Sequence, residues 1–145
     1  MFLQMYLIDT NIISEVRKGR RCGRNVAAWY RGIRDDEVFL SALVVGEVRQ
    51  GIERLRPRNP RHAHALEQWL EELLQSFGDR ILPIDGKVAQ NWRRLNASRV
   101  FPVIDSLLAA TAEAYGLTLI TRNLKDLEGS GVRCMNPFEP RTTRA

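Results

Sequence analysis

Cysteine is scarce in this sequence. Its 145 residues include two cysteines, Cys22 and Cys134, which lie far apart and outside any spacing typical of metal ligands. This scarcity argues against a disulfide-rich secreted scaffold and against a cysteine zinc site, because both need several closely spaced thiols. We therefore expect two ordinary thiols in a protein of the reducing cytoplasm.

Long apolar runs are also missing. No segment approaches the roughly 20 consecutive apolar residues that a membrane-spanning helix requires, so we expect no membrane association. The N-terminal stretch has neither a basic leader nor a small-residue cleavage site, and it does not resemble a secretory signal. Met1 and Met5 are both compatible with the natural start of the protein, and the sequence does not decide between them.

Histidine is as rare as cysteine, with two residues in the chain. His62 and His64 are two positions apart on a predicted helix, so their side chains point to different sides and make a poor pair of metal ligands. We expect both to be polar residues at the surface.

Basic side chains, in contrast, are abundant. Lysine and arginine number 22 against 17 aspartates and glutamates, and the sequence pI is near 9.8. Such an excess favours a polyanionic partner such as nucleic acid. The length, with 44% hydrophobic and 27% charged residues, predicts one globular domain over residues 1–145.

Apolar periodicity predicts alternating strands and helices. Because strands separated by helices pair in parallel, we expect an α/β fold with a mostly parallel, twisted sheet flanked by helices on both faces. One predicted helix carries an apolar stripe that indicates core or a dimer face: Leu66, Trp69, Leu70, Leu73, Leu74 and Phe77. The predicted strands are residues 6–8, 38–41, 81–84 and 117–121, and the other predicted helices are residues 11–18, 25–33, 43–55, 87–96 and 103–115, the last ended by Gly116.

Asp9 ends the first predicted strand, in the run YLIDTNIIS. In an open parallel sheet, ligands bind beyond the carboxyl ends of the strands, and the later strand LTLIT brings Thr121 to the same edge. The alternative is that Asp9 only caps the following helix, as aspartate commonly does.

Glu47 falls on or beside the apolar stripe of its helix, which contains Val44, Val48 and Ile52. A buried, unpaired carboxylate is costly, so such a group is neutralised, paired or bound to a metal. Two alternatives remain open: an ion pair with a nearby arginine, or a helix rotation that brings Glu47 to water.

Asp105 lies in the first turn of a helix that is otherwise apolar, and Asp126 follows the last predicted strand. A negative charge in a first turn suits the helix dipole, so Asp105 has a structural alternative too. Together with Asp9 and Glu47, these two residues nevertheless make a set of four acids from distant segments. Carboxylate oxygens are the ligands that Mg²⁺ and Mn²⁺ prefer. An acidic metal pocket in a basic protein is suited to hydrolysis of a phosphodiester bond.

These residues carry a resemblance to a known family. The segments YLIDTNIISE, FLSALVVGEVRQGIERL, PVIDSLLAATAEAYGLTLITRN and LKDLEGSGVRCMNPF, taken in order, resemble a PIN domain of the VapC/FitB type, the toxin of a type II toxin-antitoxin pair. Many relatives place their last acids as Asp-x-Asp after Thr-Arg. Here Asn123 takes the first of those positions and Asp126 lies one residue late, so the residue that completes the fourth ligand position is left open.

The resemblance implies a catalytic role and a set of partners. It implies that Asp9, Glu47, Asp105 and Asp126 bind Mg²⁺ or Mn²⁺ and that the protein is an endoribonuclease that cleaves structured RNA, with tRNA as the favoured class. Thr10, Asn11, Thr121 and Asn123 would orient the carboxylates. The implied partners are a VapB-like antitoxin, a second copy of the chain in a homodimer, and operator DNA reached through the antitoxin.

Two arginine-rich segments, residues 17–24 and 54–61, are candidates for contact with the RNA backbone, although solvated loops are an equally good interpretation. Four aromatic residues are candidates for partner surfaces, with core packing expected for at least two: Trp29, Tyr30, Trp69 and Trp92. The candidate RNA-binding residues are Arg17, Lys18, Arg20, Arg21, Arg54, Arg56 and Arg58.

Two other functions are compatible with the same sequence. One is a non-catalytic, nucleic-acid-binding module of the same fold. The other is a different metal-dependent phosphoryl enzyme. A phosphatase of the aspartyl-phosphate type would need a second acid two residues after Asp9, where this chain has Asn11.

Overall fold

A single parallel sheet forms the centre of the molecule. The computed structural model describes residues 4–140, so the possible start at Met1 lies outside the described range. The strands in this range are β1 (Tyr6–Ile8), β2 (Val38–Ser41), β3 (Ile81–Leu82), β4 (Thr118–Ile120) and β5 (Cys134–Met135). Their order across the sheet is β3-β2-β1-β4-β5, and every neighbouring pair is parallel.

Six α-helices connect the first four strands, two in each connection. They are α1 (Thr10–Val16), α2 (Arg24–Arg31), α3 (Ala42–Leu55), α4 (Pro60–Phe77), α5 (Gly86–Leu95) and α6 (Val103–Tyr115). The connections to β2 and β3 step across the sheet in one direction, and the connection to β4 returns. Because crossovers between parallel strands are right-handed, α1 to α4 cover one face and α5 and α6 cover the other. This confirms the predicted α/β fold.

The two central strands are buried on both sides. Leu7 and Leu119 are paired in register and are 0% and 1% exposed, and the next pair, Ile8 and Ile120, is fully buried. Side chains of this size each stabilise the fold by roughly 1.5 to 3 kcal/mol when removed from water. The sheet edge at their carboxyl ends is therefore a rigid base for the side chains that follow.

The boundaries of several elements differ from the prediction. Helices α1, α2, α3 and α5 each begin one residue earlier than expected, because the helical conformation starts directly after the preceding residue that acts as the N-cap. The predicted strand over residues 81–84 ends at Leu82, since Pro83 has no N–H to continue the ladder. Strand β5 was not predicted, because two residues are too few to show a period.

Side-chain caps mark the start of four helices, α1, α3, α4 and α5. Ser41 Oγ accepts a hydrogen bond from Leu43 N at 3.1 Å, and Asp85 Oδ1 accepts one from Val88 N at 2.9 Å. At the other end of α6, Gly116 adopts a left-handed conformation with φ of 67°, as the predicted helix end at this glycine requires. The cap at Ser41 sets the start of α3, the helix that carries Glu47.

Replacing Ser41 with alanine is expected to lower the free energy of unfolding by about 1 kcal/mol, because the Leu43 N–H loses its buried acceptor. Urea denaturation followed by far-ultraviolet circular dichroism measures the change. Ser76→Ala, at an exposed position of α4, is the control. An unfolding midpoint of Ser41→Ala equal to that of the control would contradict this role for the cap.

Several smaller predictions concern single side chains. His62 and His64 are exposed on α4, and Cys22 and Cys134 are free thiols, both as expected. Among the aromatic residues, Trp29 is 4% exposed in the core, and Trp92 donates its Nε1–H to Ser106 Oγ at 3.0 Å. Tyr30 and Trp69 are half-buried against the core. Core packing of at least two aromatic residues is thus confirmed.

No helix between residues 4 and 140 is both long enough and apolar enough to cross a membrane.

Candidate functional site

The candidate site lies at the point where the strand order of the sheet reverses. Strand β1 leads to one side of the sheet and β4 to the other, and the crevice between their carboxyl ends is where such sheets bind ligands. Asp9 follows β1 and Thr121 follows β4. Thr121 Oγ1 donates a hydrogen bond of 2.7 Å to Asp9 Oδ2, and Asp9 N donates one of 2.9 Å to Ile120 O.

Asp9 is a buried carboxylate with several donors around it. It is 5% exposed. Thr10 N donates to Asp9 Oδ1 at 2.6 Å, and Asn11 Nδ2 approaches Oδ2 at 3.5 Å. The capping alternative is therefore correct for one oxygen, because Asp9 is the N-cap of α1. A cap does not explain why the second oxygen is buried against Thr121.

Burial dominates the electrostatics of Asp9. Loss of hydration raises the pKa of this carboxyl above its ordinary value, while the hydrogen bonds from Thr121 and Thr10 act in the opposite direction. The folded protein therefore holds this charge at a cost, as expected for a group kept for function and not for stability.

Glu47 reaches the same crevice from α3. Its side chain is half-buried, and Thr10 Oγ1 donates a hydrogen bond of 3.1 Å to Glu47 Oε1. Burial raises the pKa of Glu47, and the negative charges of Asp9 and Asp105 raise it further against the effect of the Thr10 hydrogen bond. Within residues 4–140 no arginine or lysine forms an ion pair with Glu47, so the ion-pair alternative is wrong for that part of the chain.

Asp105 and Asp126 complete the acidic group. Asn123 Nδ2 donates to Asp105 Oδ1 at 3.3 Å, and Asn123 N donates to Thr121 Oγ1 at 3.1 Å, which links Asp105 to Asp9 through two side chains. Burial is the main cause that raises the pKa of Asp105, followed by the charges of Asp9 and Asp126. Asp126 is exposed and lies in a 3₁₀ helix over Leu124–Leu127.

The structure thus brings all eight predicted site residues to one sheet edge, as acids and as their hydrogen-bond donors. Asn11 also contributes its Oδ1, which accepts from Arg122 N at 3.4 Å. Both Asn123 and Asp126 adjoin Asp105, so the residue that completes the fourth ligand position stays a prediction.

The donor set is compatible with a hard divalent cation. Across residues 4–140, no group of three or more His, Cys, Asp or Glu side chains is arranged so that it could hold a metal ion. Mg²⁺ does not need one, because it commonly uses one or two carboxylates and keeps several waters. Burial raises the pKa values of Asp9, Glu47 and Asp105, and neighbouring carboxylates raise those of Glu47 and Asp105 further, so a bound cation would favour the ionised forms. The residues therefore fit Mg²⁺ or Mn²⁺.

The predicted RNA-binding residues are divided between free and engaged side chains. Lys18 pairs with Glu15 at 2.8 Å, and Arg56 pairs with Glu53 at 2.9 Å and with Glu67 at 3.3 Å. These ion pairs make Arg56 the least available of the set for RNA. The others are exposed: Arg17, Arg20, Arg21, Arg54 and Arg58.

Sequence reasoning missed one residue that supports the site. Arg99 Nη1 donates to Glu128 O at 2.6 Å, and its guanidinium lies 4.6 Å from the ring centre of Phe101. Arg99 lies in the loop before α6, the helix that carries Asp105. Glu128 directly follows the short 3₁₀ helix that contains Asp126, so the contact joins the two segments that supply these acids. No sequence pattern indicates it, because the partners are 29 positions apart.

The family model and the most similar relatives found by comparison with known proteins indicate the same family. Residues 6–127 match the PIN domain. The chain is 32% identical over 141 residues to the VapC ribonuclease Y4jK of Sinorhizobium fredii, covering 94% of this chain and 99% of that protein. It is 33% identical over 140 residues to toxin FitB of Neisseria gonorrhoeae, covering 92% and 99%.

A solved structure agrees with these relatives. The structure of FitAB bound to an IR36 DNA fragment superimposes with a TM-score of 0.86 at 29% identity, covering 97% of this chain and 100% of that one. The family match spans most of the chain and includes Asp9, Glu47, Asp105 and Asp126 within its limits. The chain belongs to the PIN-domain family, among proteins of the VapC/FitB type.

Proposed function

We propose that this protein is a metal-dependent endoribonuclease and the toxin of a type II toxin-antitoxin system. Its proposed substrates are structured RNAs, with tRNA the favoured class, and their cleavage would inhibit translation. One observation carries the proposal: Asp9, Glu47 and Asp105 come from separate segments, are linked through Thr10, Thr121 and Asn123 at the strand switch point, and have pKa values raised by burial. The relatives named VapC ribonuclease and toxin FitB support it.

The proposed roles follow from the contacts at the site. Asp9, Asp105, Glu47 and Asp126 would hold Mg²⁺ or Mn²⁺. The bound cation supplies neutralisation of the scissile phosphate and makes water a stronger acid at neutral pH. Asp9 and Asp105 are the principal ligands in this proposal, since they have the most direct connection, through Thr121 and Asn123.

The uncharged residues hold these carboxylates in place. Thr121 donates to Asp9 and accepts from the Asn123 backbone, so it fixes one oxygen of Asp9 relative to the Asn123 amide that reaches Asp105. Thr10 fixes the other oxygen of Asp9 through its N–H and reaches Glu47 through its hydroxyl. Fixed carboxylates lose little freedom when a cation and a phosphate arrive, which favours catalysis.

The proposed partners are those of the family. A VapB-like antitoxin would silence the enzyme, with an arginine or lysine placed among the carboxylates in competition with the metal. We propose a homodimer in the cytoplasm, brought to operator DNA through the antitoxin. A relative solved as FitAB with a DNA fragment supports the DNA-bound part of this assembly.

The test is RNA cleavage by the purified full-length protein. In Mg²⁺ or Mn²⁺ we expect discrete new ends in total RNA, mapped by sequencing, and no cleavage in EDTA. Asp105→Asn should be inactive, whereas Glu113→Gln, which removes an exposed acid from the same helix, should cleave normally. Cleavage that persists in EDTA would overturn the metal mechanism. RNA binding without cleavage in either metal would favour the non-catalytic module instead.

A further inference from the structure

A groove of about 260 Å³ adjoins the acidic site on the face formed by α1, α3 and α4. Thr10 and Glu47 belong both to its wall and to the carboxylate site, so the two spaces are continuous. Whatever chain is held at the carboxylates therefore has this groove beside it. The remaining lining residues are Ser14, Arg17, Val48, Gly51, Ile52, Leu66 and Trp69.

The groove is lined by an aromatic ring and a cation. The Arg17 guanidinium lies 5.7 Å from the centre of the Trp69 ring, within the range of a cation–π contact. Val48, Ile52 and Leu66 supply the apolar part of the wall. A flat, polarisable group is the natural occupant of a space that offers an indole and a guanidinium.

The polar groups of the groove match the rest of a nucleotide. The Ser14 hydroxyl can donate to or accept from the edge of a base, and the Thr10 hydroxyl, which donates to Glu47, can accept. Arg20 and Arg21 follow Arg17 closely in the chain, and both are exposed. These cations at the end of α1 complement a phosphodiester backbone that leaves the groove.

We propose that this groove binds one unpaired nucleobase of the RNA substrate, stacked on Trp69, adjacent to the phosphate that lies at the carboxylates. The inference rests on the proposed function, since it assigns the substrate of that same site. The volume is below the range of about 300 to 1,000 Å³ that is usual for drug-sized ligands, so it suits one base and not a helical segment. The cleaved bond would accordingly lie in a loop or another single-stranded part of the RNA.

Gly51 provides a clean way to close the groove. A Cβ atom at this position of α3 meets no heavy atom within 4 Å, and the same is true of Gly46 on the same helix. Gly51 lines the groove and Gly46 does not. Leucine at either position favours the helix over glycine, so Gly51→Leu fills the groove without loss of folding, and Gly46→Leu is its matched control.

The experiment measures RNA affinity separately from cleavage. All variants carry Asp105→Asn and are titrated in Mg²⁺ against short, 5′-labelled single-stranded oligonucleotides of A, C, G or U, with fluorescence anisotropy as the readout. Gly51→Leu and Trp69→Leu should each weaken binding of the preferred oligonucleotide about tenfold, as expected for loss of one base–aromatic stack. Trp69→Phe should retain most of the affinity, and Gly46→Leu should retain all of it.

RNA that lacks one base turns the comparison into a double-mutant cycle, with one change in the protein and one in the RNA. A series of oligonucleotides carries a reduced abasic ribose at each position in turn. At one position, loss of the base should lower the RNA affinity of the Asp105→Asn protein about tenfold. The same loss should cost the Gly51→Leu variant nothing, because the groove is already closed. A structural effect of Trp69 would instead weaken intact and abasic RNA equally.

Two results would overturn the inference. One is equal RNA affinity of Gly51→Leu and Gly46→Leu. The other is loss of binding to a protein partner in Gly51→Leu with RNA affinity unchanged, which would make the groove a protein-docking surface. Failure of the proposed function has a different signature: the protein with all four acids would leave RNA uncleaved in Mg²⁺, while the binding comparison would still report on the groove.

Discussion

Asp9→Asn should abolish RNA cleavage and at the same time stabilise the fold. Asparagine is as good an N-cap as aspartate, so its carbonyl oxygen keeps the hydrogen bond from Thr10 N. Its amide can donate to Thr121 Oγ1, which then serves as the acceptor. The substitution therefore removes the charge from the site and leaves the start of α1 intact.

The two effects have one physical cause. Burial raises the pKa of Asp9, which means that the folded state holds the ionised carboxylate less favourably than the unfolded chain does. At neutral pH the charge costs stability, so its removal should raise the melting temperature. Cleavage should fall by more than about 100-fold, since the loss of a residue that only orients a metal ligand already costs 10- to 100-fold.

Cleavage rate and melting temperature are measured on the same preparations. Asp79→Asn, which neutralises an exposed acid away from the sheet edge, should change neither. An active Asp9→Asn variant would mean that Asp9 is only a cap. An inactive variant with a lowered melting temperature would mean that the carboxylate serves the fold and that the site needs another explanation.

Divalent cations should raise the thermal stability of the protein at neutral pH and lose this effect in acid. The pKa values of Asp9, Glu47 and Asp105 are raised, mainly by burial. A carboxyl of this kind contributes stability that is complete below its unfolded pKa, here 3.8 for aspartate and 4.5 for glutamate. That contribution is lost as the pH rises through the folded pKa. The metal-free protein should therefore be less stable on the alkaline side of this range.

A bound cation offsets that penalty. At a concentration about 100 times its dissociation constant, a ligand stabilises the native state by about 2.7 kcal/mol. For a domain of this size the change corresponds to a rise of about 5 to 10 °C in melting temperature. Differential scanning fluorimetry in EDTA and in Mn²⁺ across the acid and neutral range measures both effects.

Other carboxyls titrate with the opposite sign, so the variant comparison is essential. Glu53, bound by Arg56 and Arg49, has a pKa lowered to about 2, and the pKa of Glu67 is also lowered. Subtracting the curve of an Asp9→Asn, Asp105→Asn double variant from that of the unmodified protein removes these contributions. A Mn²⁺ response of equal size in the double variant would show that the cation binds elsewhere.

The sequence predicted those parts of the site that have a local pattern. Asp9 stands at the end of an apolar strand, and Glu47 interrupts the apolar stripe of a helix, so both are conspicuous against their neighbours. Asp126 has no such pattern; it was placed at the site because it follows the last predicted strand, and the resemblance to a family gave it the role of a ligand. Its exposure in a short 3₁₀ helix explains why periodicity gave no signal.

Features that depend on distant segments could not be predicted. The Arg99 contact with Glu128 and the position of Trp69 beside Arg17 arise from packing between elements that are far apart in the chain. The ion pair that Arg49 of α3 forms with Glu67 of α4 is of the same kind. A count of charges suggests that these arginines form a free basic surface. In the folded protein, some of them are already paired with acids of the same chain.

The hydrogen bond between Thr121 and Asp9 joins residues 112 positions apart. Ribosomes make Asp9 and Glu47 early, and Thr121 and Asp126 only near the end of synthesis. A nascent or truncated chain that stops before β4 therefore has three of the four acids but lacks Asp126, and it has no Thr121 to pair with the buried oxygen of Asp9. The proposed toxin would be harmless while it is being translated, and completion of the sheet would switch it on.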